Sequence, residues 1–426
     1  RPAIDHPADF DFGNRLHLLG YSQTGEQSVT LFWEAQQPLD EDYRVSITLR
    51  DTQGQSWGQW DGRPSAYTLP TDRWPVGQVV FGRHSLTPVP GAPPGDYGLE
   101  VGVYTEDDPI GLDLLDEAGA PQGKRAMLGS VRLSVPPASA SQIDVPNRGR
   151  TEFGDGLALL GWDLDGDQAD PGQAQPGDQL SLTLVWAVDR QPQDDYYLRV
   201  LVTDEAGQVH EAGIFPPTNI WHPTTAWEEG QAWRGQVTFR LPVQAQSGEA
   251  QLSLELVDAR GTTLGAPVAL GALKVLSPER VFTAPQPQVR QAANYADRIA
   301  LLGADVDPAP VNPGEGLQVV LYWQALDDLD IPYTVFVHLL GPDGRVVIGQ
   351  DGEPVGGARP TTSWVPGEYV TDSHEMIIPA NLQSGEYVFE VGLYDAGAPG
   401  MPRLPVLDGA GREATDRTIL GPIQVR

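Results

Sequence analysis

Carboxylates at alternating positions in a glycine-containing run can converge hard oxygens on Ca²⁺, and the chain carries one such run, Asp163-Leu164-Asp165-Gly166-Asp167-Gln168-Ala169-Asp170. Its candidate ligands are Asp163, Asp165, Asp167 and Asp170. The run departs from an EF-hand loop, because Gly166 precedes the third acid and Pro171 interrupts the path to a closing Glu. A solvated acidic turn of the sort Asp and Gly favour is the competing reading.

Two other patterns invite a catalytic reading and fail it on context. Gly54-Gln55-Ser56-Trp57-Gly58 fits the string of a nucleophile elbow, but that chemistry needs a strand-to-helix turn beneath an α/β sheet, and no helical pattern follows Ser56. The seven histidines, among them His84, His222, His338 and His374, lack the close His partner of a zinc site. His338 falls on the face opposite its strand's apolar row, which fits an outward structural histidine. The reading is of a protein without catalytic residues.

Eleven tryptophans divide by recurrence. Trp33, Trp186 and Trp323 occupy one repeated place and Trp74, Trp227 and Trp364 another, which fits a shared core. Trp57, Trp60, Trp162, Trp221 and Trp233 belong to single copies and are the candidates for a sugar-stacking platform or a protein contact, with simple packing as the alternative.

The elements that must position these residues come in three copies. Leu18-Leu19-Gly20 returns as Leu159-Leu160-Gly161 and Leu301-Leu302-Gly303, a period of about 140 residues, which is domain-sized. Leu31-Phe32-Trp33, Leu184-Val185-Trp186 and Leu321-Tyr322-Trp323 follow in step. So do Pro70-Thr71 with Trp74, Pro223-Thr224 with Trp227, and Pro360-Thr361 with Trp364. Each copy has a strand of period two, with Tyr43, Val45, Ile47 and Leu49 alternating with polar residues in the first, and a sheet with one buried face has that period. Short strands split by Gly, Pro and Asp turns predict an all-β chain of three tandem antiparallel β-sandwich, immunoglobulin-like domains at 1–140, 141–281 and 282–426. Pro-rich linkers at Val135 to Arg150 and Ser277 to Ala293 are expected to join them as semi-rigid strings.

Composition narrows the setting. There are 58 Asp plus Glu against 27 Lys plus Arg, a net charge of −31 that repels phosphate backbones, so nucleic acid is excluded as an expected partner. No apolar stretch approaches the ~18 residues of a membrane span. With no cysteine, neither a disulfide framework nor a thiolate metal site is available. The opening at Arg1 fits a mature product or a trimmed piece equally well.

The third copy's Tyr333-Thr334-Val335-Phe336-Val337-His338-Leu339-Leu340, with Asp351-Gly352-Glu353-Pro354, Pro360-Thr361-Thr362-Ser363-Trp364 and Gly392-Leu393-Tyr394-Asp395, resembles the sandwich modules of Chloroflexota cell-surface proteins. Similar modules follow the membrane part of mannosyltransferase-like glycosyltransferases. The second copy departs from the pattern, with Ile214-Phe215-Pro216-Pro217 at the Asp-Gly-Glu-Pro step. The resemblance implies an extracellular, cell-surface setting and carries no catalytic residue across.

Two functions follow as expectations: a structural or adhesive surface protein that assembles with itself or with envelope components, and a carbohydrate-binding ectodomain of a membrane glycosyltransferase that holds envelope glycans. For self-assembly the expectation is head-to-tail polymerisation. Arg1 to Asp9, with Ile4 and nearby Phe10, would add to a neighbour's sheet edge, and the closing strand with Leu420 and Ile423 would form the other surface.

Overall fold

In the computed structural model, residues 3–426 are described except 26, 66–68, 135–136, 167–171, 308–309 and 399. The chain is all-β, in six sheets whose strand pairs are antiparallel save the short parallel pairing of Gln173–Ala174 with Thr263–Val275. Among the described residues the helical segments are short 3-10 turns, such as Thr71–Arg73, Thr224–Ala226 and Thr361–Ser363.

Each sequence repeat contributes two sheets. In the first, Val79–Ser85, Ser28–Ala35, Leu16–Gly25, His6–Phe12 and Leu114–Leu115 face Ser56–Gly62, Arg44–Arg50, Gly95–Tyr104 and Arg125–Leu133 across one apolar cluster. The second and third repeats keep the plan, with Ala232–Arg240 and Tyr369–Ile377 as the edge strands that correspond to Val79–Ser85. The period-two rows read from the sequence point inward: Tyr43, Val45, Ile47 and Leu49 are buried, as are Tyr196, Leu198, Val200 and Val202, and Tyr333, Val335, Val337 and Leu339. Truncating one of these leucines or isoleucines to Ala would cost about 2–5 kcal/mol in lost burial and cavity.

The glycine of each Leu-Leu-Gly is fixed by a close crossing. Gly20, Gly161 and Gly303 have φ of 143°, 159° and 150°. A Cβ there would lie 2.4, 2.6 and 2.1 Å from the carbonyl oxygens of His6, Asn147 and Val289, which head the preceding strand. Only glycine fits such an approach.

The Pro-Thr-x-x-Trp motif is a clasp. Oγ1 of Thr71, Thr224 and Thr361 accepts the N–H of Tyr43, Tyr196 and Tyr333 at 2.7, 3.0 and 2.9 Å. The same hydroxyls donate to the carbonyls of Glu41, Asp194 and Ile331. The motif's tryptophan donates its indole N–H to the carbonyl five residues back, Leu69, His222 or Arg359. A 3-10 turn is thus sewn through its buried threonine to the start of the apolar strand, and that threonine's hydroxyl is satisfied internally.

The structure corrects the linker expectation. The last four or five residues of each expected linker already belong to a strand, Asn147–Gly154 or Val289–Tyr295, and His6–Phe12 is its counterpart in the first repeat. That strand pairs with Leu16–Gly25 on one side and Leu114–Leu115 on the other. On that second side the pairing is confined to Asp11 and Phe12, at the end of the strand.

Candidate functional site

The most heavily built polar contacts outside the cores lie where repeats meet. At the first junction, the edge strand Ala232–Arg240 of the second repeat receives the turn at Pro90 to Gly95 of the first. Arg234 N–H donates to the carbonyl of Gly91 at 2.8 Å, and its Nε donates to that of Pro90 at 3.2 Å. Burial works against the Arg234 charge and lowers its pKa, while Asp144 and Asp163 oppose the loss. Gly91 has φ of 81°, and a Cβ there would meet Ile143 at 2.4 Å. Ile143 and Val145 bury against Val185 and seal the outer face of the second repeat's sheet.

Trp221 completes this junction. Its ring packs edge-on to Tyr97 of the first repeat, centroids 5.8 Å apart and planes at 87°, against the first repeat's core. A Cβ on Gly95 would fall 1.6 Å from Trp221 Nε1, so only a bare backbone leaves room for the indole. Gln55 Nε2 adds a 2.6 Å bond to Thr238 Oγ1.

At the second junction Arg280 is the pin. Its Nη2 donates to the carbonyl of Val243 in the second repeat at 2.6 Å, and its Nη1 to Glu368 and to the carbonyl of Ser363 in the third. Glu368 is fully buried, and Arg359 bonds its other oxygen at 2.7 Å. Gly177, at φ 90°, lies so close to the third repeat that a Cβ would sit 2.2 Å from the carbonyl of Thr362. Pro90 and Val243 occupy one place in the repeat, four residues before Pro94 and Ser247 of the matching Pro94-Gly95 and Ser247-Gly248 steps. Both junctions therefore cap the same carbonyl with a guanidinium, although the two arginines come from different elements.

The candidates read from the sequence fall as follows. Asp163 and Asp165 lie on strand Leu157–Gly166, paired with Thr183 and Ser181, while Asp167 and Asp170 lie outside the described residues. Among the described residues no group of three or more His, Asp or Glu side chains is arranged to hold a metal. Trp57 and Trp233 are closed into the cores, at 0% and 2% exposure, which leaves no ring face for a sugar and corrects the platform expectation for both. Trp57 donates to Asp51 Oδ2 at 2.8 Å. Trp60 is half-buried against His84, centroids 4.2 Å apart, and half-buried Trp162 lies over Gly271. Of the five, Trp221 alone lies against another repeat's core. Two of the assembly residues are corrected, because Leu420 and Ile423 are closed into the third core, whereas Ile4, beside Gly20, and Phe10, on the first core, are half-buried.

Ser56 heads strand Ser56–Gly62 opposite Arg50 and lies on no elbow. His338 is held between Glu390 at 3.0 Å and Asp351 at 2.8 Å. Buried His374 shares a 2.8 Å bond with buried Asp372, but neighbouring Ser373 accepts from Gln318 instead. Asp372 also accepts from the core indole of Trp323 and from the N–H of Val355, a β-branched residue at φ 56°. This cluster anchors the loop that carries Asp351-Gly352-Glu353-Pro354 to the core. Arg280, Arg234 and Glu368 were not read from the sequence; the signal available was the near-exclusive use of arginine over lysine.

Comparison with known protein families finds no match to this chain, and comparison with curated proteins finds none either.

Proposed function

We propose that the chain is a non-enzymatic structural or adhesive protein of the extracellular surface or cell envelope, built as three tandem immunoglobulin-like sandwiches that hold a fixed distance. The observation that carries this reading is the pinning of both junctions by buried contacts, Trp221 against Tyr97 and Arg280 against Glu368 and Val243. Flexibly strung domains have no use for buried contacts at each hinge, whereas a spacer or scaffold element does. The −31 charge keeps such an element soluble and apart from anionic surfaces. The sequence resemblance to Chloroflexota surface modules points the same way. The test is pulsed electron resonance between spin labels on the first and third repeats, for which the cysteine-free chain is suited. A single narrow distance is expected, and a broad distribution would sink the reading. Antibody labelling of intact cells tests the surface location.

One observation favours carbohydrate binding as a second reading. A groove of about 720 Å³ opens beside the Arg280 pin, with Phe282 59% exposed and Gln244, Gln246, Ser247 and Glu279 around it. An aromatic face beside amides and a carboxylate suits a saccharide's apolar and hydroxyl faces. Glycan-array binding lost in Phe282→Ala would establish it, and binding unchanged in that variant would remove the groove from consideration.

A further inference from the structure

The two junctions share a turn carbonyl capped by a guanidinium, and copies of that turn and of the edge strand lie exposed on the third and first repeats. On the donating side, the turn that carries Pro90 and Val243 has its third copy at Ala380 to Gly385, where Ala380 and Asn381 are exposed. Gly314 stands where Gly177 does, with φ of 85°. A Cβ there would meet only Ala380 of its own repeat, where Gly177 meets the next repeat's backbone. Ile377, opposite Gly316 at the start of the pairing, is 71% exposed; its counterpart Arg240 is half-buried and donates to the carbonyl of Gly177.

On the receiving side, Phe81 occupies the register of Arg234, each paired with the residue just before the core tryptophan, Phe32 or Val185. Phe81 is 46% exposed, and Leu69 and Val76 on the same end are 37% and 48% exposed. Exposed Arg73 stands at the position of Ser363, whose carbonyl Arg280 binds in the second junction. The receiving face of the first repeat thus shows three large apolar side chains and a cation. The donating face of the third shows an apolar Ile377 and open turn carbonyls of the kind an arginine caps twice within the chain.

We propose that these faces bind one another between copies: the edge strand Val79–Ser85 of one molecule receives the turn at Ala380 to Gly385 of the next, as Ala232–Arg240 receives the Pro90 turn at the first internal junction. The contact is heterologous, so copies add head to tail and stay open unless the rotation closes. Arg73 supplies the guanidinium to the turn, and Phe81, Val76 and Ile377 supply the apolar area that the internal junctions obtain from Ile143, Val145 and Trp221. The inference rests on the reading of the chain as a rigid structural element and names the surfaces by which that element extends. Repulsion between copies at −31 each opposes the contact at low salt, and screening favours it.

The test is sedimentation velocity of the unaltered chain from low salt to about 0.5 M NaCl, where the screening length shrinks to a few ångströms. Salt-promoted oligomers are expected, with association weakened about tenfold or more in Phe81→Asp and in Ile377→Asp. Ile377 is largely exposed, so its variant should melt as the unaltered chain does, and its loss of association is not loss of fold; Phe81 also packs on Phe32, so its variant is read beside its own melting curve. Under mild oxidation Phe81→Cys/Asn381→Cys should give a ladder of cross-linked oligomers, while either single variant stops at dimers. Monomers at every salt concentration would overturn the proposal. So would an equal ladder from Phe81→Cys/Val346→Cys, in which the second cysteine sits on an exposed strand of the other sheet. A narrow spin-label distance within a chain that stays monomeric would leave the structural reading standing and remove this inference alone.

Discussion

Arg280 lies 2.7 Å from Glu368, whose carboxylate has no exposure, and the same guanidinium reaches the carbonyl of Val243 in the preceding repeat at 2.6 Å. One side chain thereby joins the core-facing acid of the third repeat to the closing turn of the second.

Removing the acid leaves two largely buried guanidiniums, Arg280 and Arg359, without their shared carboxylate. Glu368→Ala should destabilise the third repeat by about 3–5 kcal/mol, the cost of an uncompensated buried charge. Arg280→Ala should cost less, because Arg359 still neutralises Glu368. Urea denaturation followed by tryptophan fluorescence reads both, and equal losses would contradict the account.

Gly95 has no left-handed φ, so a side chain there acts by volume alone. Gly95→Ala should expel Trp221 from its seat beside Tyr97 and cost about 2 kcal/mol of coupling between the first two repeats. Gly149→Ala, with open space around the added carbon, is the control. Calorimetry that shows the first two repeats melting together in both variants would refute the wedge.

His84 is buried with neither ring nitrogen bonded among the described residues, and burial pushes its pKa down to about 4. The folded protein keeps it neutral while the unfolded chain protonates near 6.5. Its contribution is therefore whole above pH 6.5 and is lost as pH falls from 6.5 toward 4, by about 3 kcal/mol in all. His222, likewise lowered to about 4 by burial, adds a loss of the same sign in the second repeat. His84→Phe should flatten the first repeat's share of this slope. An unchanged difference in stability between pH 7 and pH 4.5 would count against it.

The clasp threonines can be tested without touching a cavity. Thr361→Val keeps the shape but removes the acceptor for Tyr333 N–H and the donor to Ile331. A loss of about 1–3 kcal/mol is expected, with Thr71→Val and Thr224→Val following suit. A loss in one repeat alone would show that the motif does different work in different copies.

The repeats and their inward rows were legible in the sequence because burial on one face imposes period two wherever a strand occurs. Tyr196, Leu198, Val200 and Val202 announce their strand without any tertiary knowledge. The linkers were misread because Pro, Ser and Gln dominate the approach to Asn147 and Val289, and composition does not reveal pairing with a strand beyond the next turn. Trp57 and Trp221 looked alike as residues without counterparts. Trp57 closes into its own repeat's core, whereas Trp221 is seated by the bare backbone of Gly95 in another repeat, which no local pattern connects to it. The core indole makes the same point: Trp323 bonds Asp372, Trp186 bonds the carbonyl of Pro217 where Gly235 lets the backbone approach, and Trp33 finds no partner among the described residues.

Fastening neighbours through one recurring turn carbonyl has a consequence for measurement at larger scale. On the proposed reading, an array joined in this way is a ruler: its reach grows by whole repeats, and substitutions inside a repeat change how firmly it stands without changing where the next mark falls. Inserting or deleting one complete copy should move an attached group by a constant stride, while lengthening the short segments before Asn147 or Val289 should blur the scale.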